Sequence, residues 1–234
     1  DDGFNVSNAS VKEYGIIANN GYIHTVDRVV EPLETIYTEL KSQEEYSTFL
    51  NLYDSFGYYV ADNELSKSYA AAYGVDTLYQ YMHDGLPNIA CEWPTTSYLN
   101  FTALTATAYS IFAPSNTAIN HFFDSFWKVG GYSSMQEVDE LALTYFLYQF
   151  IYGGSMLFPD ELGNDELKNV SGSTLKINPA MLNERIMCVN GAFYGMNEIQ
   201  DPSAFASVIG PVFQYKSARS FLYALVGSSL FSSY

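Results

Sequence analysis

The chain has 234 residues, 48% of them hydrophobic, with 21 Tyr, 16 Phe and a formal net charge of −16. That length and apolar content suit one large domain, or one domain with fragments of others, and so acidic a field excludes nucleic acid and anionic membrane surfaces as partners. Two cysteines, Cys91 and Cys188, exclude a disulfide scaffold, and no run reaches the ~18–20 apolar residues of a membrane span.

Residues 11–18 (VKEYGIIA) read as a strand. Asn20-Gly21 then gives a hairpin signal, because a type I′ turn needs positive φ at both central residues. Residues 22–30 return as a β-branched strand that Pro32 ends. Leu33, Ile36, Tyr37 and Leu40 repeat at helical spacing. Ser42 and Glu45 stand as a capping box for a second helix, whose inner face is Tyr46, Phe49, Leu50 and Tyr53 and whose stop is Gly57.

Residues 58–105 are less regular and rich in Tyr. The stretch YSIFAPSNTAINHFFDSFW predicts a short buried strand over 109–113, a break at Pro114, and a helix capped by Ser115 or Asn116. Ile119, Phe122, Phe123 and Phe126 fall at i, i+3, i+4 and i+7, an aromatic face for a sheet, and Gly130-Gly131 ends the helix. Ser134 and Glu137 form a second capping box, and Val138, Leu141, Ala142 and Tyr145 carry its apolar face onward. The run from Phe146 to Tyr152 is expected to turn into a strand, and 174–178, 184–189 and 192–199 read as strands, with Asn190-Gly191 as the second hairpin turn.

The two Asn-Gly pairs put Gly21 and Gly191 170 residues apart, and the helical stretches STFL and RSFL put Phe49 and Phe221 172 apart. Two features recurring in one order at nearly one offset mark a tandem repeat whose unit is a domain. The expected division is the end of one domain at 1–32, a complete domain at 33–202, and the opening helices of a third at 203–234.

The stretch NNGYIHTVDRVVEP resembles the closing motif of fasciclin-like domains, an Asn-Gly-x-Ile-His strand leading to Asp, hydrophobics and Pro. YSIFAPSNTAINHFF resembles their second signature, carried here by Phe112, Ala113, Pro114, Ser115, Asn116, Thr117 and Ala118, and STFLNLYDSFG is similar to their first helices. The resemblance implies an α+β fold: a twisted, mostly antiparallel β-wedge or sandwich with helices packed on one edge and end. It makes Asn20, Gly21, His24, Phe112, Pro114, Asn116, Asn190 and Gly191 structural motif residues. Phe193 stands at the usual Ile position and Tyr194 at the usual His. The place of the Tyr-His pair linked to integrin binding in many animal members falls on Tyr148-Gln149, where the His is missing. Residues 58–105 exceed the family's usual connection and read as an insertion of about thirty to forty residues, well beyond ordinary loop length.

Candidate chemistry is sparse. His24 sits on the hairpin and is expected to bond within it, His121 lies opposite the aromatic helix face, and His83 adjoins Asp84, whose side chain points away from it on a strand. No Walker loop, H-E-x-x-H, C-x-x-C or G-x-S-x-G is present, and no cofactor is expected. Asp160, Glu161, Asp165 and Glu166 lack the alternate spacing of a calcium loop and read as a solvated turn, with no metal expected. The insertion gathers Trp93, Tyr79, Tyr81, Tyr98 and Phe101. Such aromatics on a loop serve binding, or else they cover a small core of the insertion itself.

These readings lead to a non-enzymatic extracellular adhesion or protein-binding module, a segment of a multidomain surface protein with a lipid anchor outside it. Its partner is a surface or matrix protein, or, in the alternative, a polysaccharide held by the insertion's aromatics. Strands at 1–32 lack a parent sheet here, so they are expected to pack with 203–234 or to exchange strands with another copy. Sequons stand at Asn5, Asn8, Asn100 and Asn169.

Overall fold

The run SIFAP becomes the centre of a sheet because every residue in it is apolar or small enough to be covered on both faces. The computed structural model describes residues 5–6, 9–30, 33–90, 108–163, 166–200 and 202–228. The class is α+β. Strands β1 (Asn5–Val6), β2 (Ala9–Ala18) and β3 (Gly21–Val26) form one antiparallel sheet, and β4 (Gly57–Asp62) pairs with β5 (Leu78–His83) in a ribbon. The third sheet has the order β7-β6-β9-β8, from Ile151–Gly153, Tyr109–Pro114, Gly191–Met196 and Leu182–Cys188. Its pairs are antiparallel except β6 with β9. That parallel pair forces a long crossover, which supplies helices α4 (Asn116–Phe122) and α5 (Glu140–Tyr148). Helices α1 (Ile36–Ser42), α2 (Ser47–Asp54) and α3 (Asn63–Tyr69) precede this sheet, and α6 (Gly210–Gln214) and α7 (Arg219–Gly227) follow it.

One core joins these parts. Ile36, Leu40, Phe49 and Tyr53 of the first helices meet Phe112 and Phe193 of the sheet, and the same cluster holds Trp127, Phe146, Phe205, Phe213 and Leu222. Ala204, Phe205, Phe213 and Leu222 therefore bury their side chains in the same core as the first helices and the sheet. The aromatic replacements Phe193 and Tyr194 are both buried on β9, where Tyr194 stacks on Phe112 and its hydroxyl donates to Leu157 O.

Several local expectations change. Both hairpins have two-residue loops, but the loop residues are Asn19-Asn20 and Val189-Asn190, each one place earlier than expected. Gly21 pairs with Ala18 and Gly191 with Cys188, so each glycine opens the returning strand. Gly191 is needed there for a different reason from turn geometry: its φ is +142°, and a Cβ would lie 1.8 Å from the carbonyl oxygen of Tyr109 on β6. Asn190 is a buried tie, accepting from Ile36 N at 2.9 Å and donating to Ile89 O at 2.7 Å. On the other hairpin, His24 Nδ1 accepts from Gly15 N at 3.3 Å, at a bulge where Gly15 has φ +73°.

Neither capping box forms. Ser42 closes α1, its hydroxyl donating to Glu39 O, and a 3-10 turn (Glu44–Tyr46) intervenes before α2. The α2 amide of Thr48 is capped from another helix, by Asn116 Oδ1 at 2.8 Å, while Asn116 Nδ2 donates to Glu44 O. Ser115, one residue earlier, caps α4. Helix α2 stops at Asp54, and Gly57 instead begins β4. Ser134 precedes a 3-10 turn (Met135–Glu137), and the cap of α5 is Asp139.

Residues 174–178 form no strand. Thr174 makes a lone bridge to Lys168, and Leu175 and Ile177 point inward with the expected alternation but without a ladder. After α4 the chain makes a π-helical turn, Phe123–Trp127. The extra residue in that turn rotates the face, so Trp127 is fully buried while Phe123 and Phe126 are half-buried. The sequon asparagine Asn169 is also buried, its Oδ1 accepting from the amides of Ser171 and Ser173.

Asp139 does two things at once. Its Oδ1 accepts from Leu141 N at 3.0 Å as the helix cap, and its Oδ2 lies 2.6 Å from Arg219 Nε of α7. Asp139→Ala is expected to cost about 2 kcal/mol by urea denaturation, cap and ion pair together. Asp139→Asn keeps the capping oxygen and is expected to cost about half as much. Equal losses in the two variants would show that the cap contributes nothing.

Candidate functional site

The β4–β5 ribbon occupies the first half of the insertion, and its side chains alternate between two faces. In register, Gly57, Tyr59 and Ala61 oppose His83, Tyr81 and Tyr79. This face meets the C-terminal end of α2, where Asp54 closes the apolar stripe Phe49, Leu50, Tyr53. The Asp54 carboxylate gathers three donors from two directions. Tyr37 of α1 donates to Oδ2 at 3.0 Å, and Tyr81 donates to Oδ1 at 3.2 Å. His83 Nε2 lies 3.1 Å from Oδ1. Since a carboxylate only accepts, Nε2 carries the proton, and Nδ1 holds a buried lone pair without a partner.

Aromatic rings pack around this centre. Tyr53 lies 3.9 Å from the imidazole, Tyr81 4.6 Å from it, and Tyr59 4.9 Å from Tyr81, between ring centroids. The position of Tyr81 requires Gly57: a Cβ there would meet the Tyr81 hydroxyl at 2.0 Å. Burial, with help from Asp54, pushes the Tyr37 phenol up to about 12. Burial also holds His83 below the ordinary histidine range, against the opposing pull of the Asp54 carboxylate.

His83 is therefore neutral in the fold and protonates more readily once unfolded. Below about pH 6.5 the unfolded chain binds the extra proton, so this residue's stabilisation is complete above that pH and falls away as pH drops toward the folded value. The groups facing the imidazole are Asp54, Tyr37, Tyr53 and Tyr81. Urea midpoints are expected to fall between about pH 7.5 and about pH 5.5, and to fall less in His83→Phe. Parallel pH profiles for the two proteins would remove His83 from the account.

With its imidazole wholly covered, His83 has no access to a substrate, and the cluster ties the insertion to α1 and α2. What the ribbon does offer to solvent is aromatic surface. Tyr59 and Tyr79 share its tyrosine face and are 71% and 63% exposed. Of the insertion residues singled out in the sequence, Tyr79 is exposed and Tyr81 is half-buried with its hydroxyl committed to Asp54. Trp93, Tyr98 and Phe101 lie outside the described residues, as does Cys91.

Tyr148 and Gln149 part company. Tyr148 is half-buried, its hydroxyl donating to Gly85 O at 2.6 Å. Gln149 is turned inward, where its Nε2 donates to Tyr145 O and its Oε1 faces the Ser203 hydroxyl. Burial takes Gln149 out of the contact surface expected for the pair. Cys188 is buried as well, and burial pushes its thiol up to about 12, away from nucleophilic use. Glu161 closes a turn by accepting from Phe158 N, and no group of three or more metal-ligating side chains occurs among the described residues. No helix among them is long and apolar enough to cross a membrane.

Asp54, Tyr37 and Tyr59 were not legible as site residues. Asp54 sits at the edge of a helical apolar stripe, as many solvated carboxylates do. Only the return of β5 over α2 gives it two of its three donors, the third coming from α1.

No family model matches the chain, and no curated protein matches it. Among solved structures it is similar to a FAS1 domain pair from the insect cell adhesion molecule fasciclin I, with 13% sequence identity and a TM-score of 0.43. The match covers 82% of this chain and 60% of that one, so the chain spans less than two thirds of the length of the pair.

Proposed function

We propose that the chain is a segment of a string of similar extracellular modules, and that it works by non-enzymatic adhesion to a surface or matrix protein. The observation that carries this reading is a repeated order of parts. Hairpin β2–β3, helix α1, a 3-10 turn and helix α2 come first; hairpin β8–β9, helix α6, a 3-10 turn (Lys216–Ala218) and helix α7 come later. Glu44 and Lys216, which open the two 3-10 turns, are 172 residues apart, as are Ser47 and Arg219, which open the two helices. Packing differs as an interrupted series would require. Phe49 is fully buried, and its counterpart Phe221 is 57% exposed. Gly191 is pressed against β6, whereas nothing lies within 4 Å of a Cβ at Gly21.

In this reading 1–32 closes a preceding module, 33–202 is a whole one, and 203–234 opens a following one whose first residues lodge in the central core as a junction. The motif resemblance to fasciclin-like domains supports adhesion at a cell surface, with a lipid anchor elsewhere in the protein. The buried state of His83 supports a structural role for its pair with Asp54. The alternative is a glycan-binding accessory protein, favoured by the exposed Tyr59 and Tyr79 of the ribbon and by Trp93, Tyr98 and Phe101 later in the sequence of the same insertion.

Beads coated with the chain separate these readings when applied to intact cells, protease-treated cells and periodate-treated cells. Adhesion lost with protease and kept after periodate is the expected result. The reverse pattern selects the glycan reading, and no adhesion to any of the three overturns both.

A further inference from the structure

A second feature lies away from the tyrosine face. A cleft of about 370 Å³ opens where the turn after β5, helix α5 and helix α7 meet, within the volume range of side-chain and small-ligand sites. Asp84 and Glu140 stand on its walls with Thr144, Tyr148 and Tyr223, and the buried ring of Phe56 contributes to its lining.

Among the described residues that line the cleft, none carries a cationic side chain. Arg219, one turn before Tyr223, lies 2.6 Å from Asp139 and also bonds the Tyr223 hydroxyl, so its guanidinium is committed at the cleft's edge. Among the described residues, neither the Asp84 nor the Glu140 carboxylate has a hydrogen-bond or ion-pair partner. Asp139 already caps α5, so Glu140 is not needed for that task. The Tyr148 hydroxyl is spent on Gly85 O, which leaves its ring as the feature it presents to a ligand. Two uncommitted negative charges beside two tyrosine rings and a phenylalanine suit one kind of occupant. A guanidinium forks to carboxylates and stacks on aromatic rings. A divalent ion would need more oxygen ligands than these residues bring.

We propose that this cleft receives an arginine side chain from a basic segment of the partner protein. The proposal rests on the protein-binding reading for its partner, and on the cleft alone for its chemistry. The net charge of −16 would steer a basic segment toward the surface, while the cleft supplies the local selectivity that a diffuse field lacks.

The probe is Nα-acetyl-arginine methylamide, titrated into the isotope-labelled chain and followed by amide chemical shifts, with the neutral citrulline analogue alongside. Saturable shifts at Gly85, Leu141, Thr144 and Tyr223 with arginine, and none with citrulline, are expected. Asp84→Asn/Glu140→Gln is expected to weaken binding about tenfold, the effect of about 1.4 kcal/mol. Glu13→Gln/Glu198→Gln removes the same charge elsewhere and is expected to change affinity less than twofold. Shifts spread over the acidic surface, equal loss in both double variants, equal binding of citrulline, or no saturation would each overturn the proposal. Bead adhesion that survives Asp84→Asn/Glu140→Gln rejects the cleft as the partner's contact and leaves the adhesion reading standing. Arginine binding in a chain that shows no adhesion does the opposite.

Discussion

Gly191→Ala is expected to destabilise the chain by more than about 4 kcal/mol, while Gly21→Ala leaves stability within about 0.5 kcal/mol of the parent. The two glycines open the returning strands of hairpins with the same loop length and register, so hairpin formation alone predicts equal effects. The difference comes from β6. It pairs in parallel with β9 from Tyr109–Gly191 to Pro114–Met196, and an alanine Cβ at 191 would occupy the space of the Tyr109 carbonyl, 1.8 Å away. Backbone cannot swing aside as a side-chain tip can. Accommodation would open the ladder at its start and lift Asn190 from Ile36 N and Ile89 O, which it holds at 2.9 and 2.7 Å. The φ of +142° adds strain of about 1–3 kcal/mol for any residue with a side chain. Urea denaturation and the near-ultraviolet signal of the buried rings measure both variants. Similar midpoints for the two would contradict the close approach of β6.

Trp127→Ala is expected to cost about 4 kcal/mol, near the top of the range for a buried aromatic. The indole is fully buried. It lies between Phe122, Phe146 and Phe205, with ring centroids at 5.2, 5.1 and 6.1 Å. Its Nε1 also donates to Phe213 O at 3.2 Å, so truncation removes packing and leaves that α6 carbonyl without its indole donor. Trp127→Phe retains most of the apolar contact and is expected to recover about half the loss. Limited proteolysis supplies the second readout: cleavage after Lys216 or Arg219 should become faster in Trp127→Ala, because α6 and α7 lose their anchor. A small stability change with unaltered cleavage would mean that these helices are held by the Asp139–Arg219 and Glu137–Lys216 pairs instead.

Most of the elements were legible because their signals are local. The run around Phe112 forms β6, the aromatic spacing from Ile119 starts α4, and both hairpins form where an Asn-Gly pair stands. The failures share one cause. The nearest hydroxyl is the expected cap, but Thr48 is capped by Asn116, 68 residues along the chain. The phase of a regular helix points Phe123 and Phe126 inward, but a π-helical turn brings Trp127 inward. Alternation at 174–178 promises a ladder, but among the described residues only an isolated bridge to Lys168 forms there. The tyrosine site depended on which helix the ribbon would cross.

The amino-acid order by itself determined the strand and helix positions that rest on periodicity, since each depends on residues a few positions apart, and the recurrence of one set of parts, which needs only two stretches of sequence compared; the class of fold followed from the motif resemblance. Tertiary structure alone decided that Asp54 would face Tyr37, Tyr81 and His83. It alone placed Phe205 and Phe213 in the central core, and it pressed one hairpin glycine against a neighbouring strand while leaving the other open. Hydrogen-bond partners and close approaches are set by where distant segments come to rest, and such distances have no period that a sequence can display.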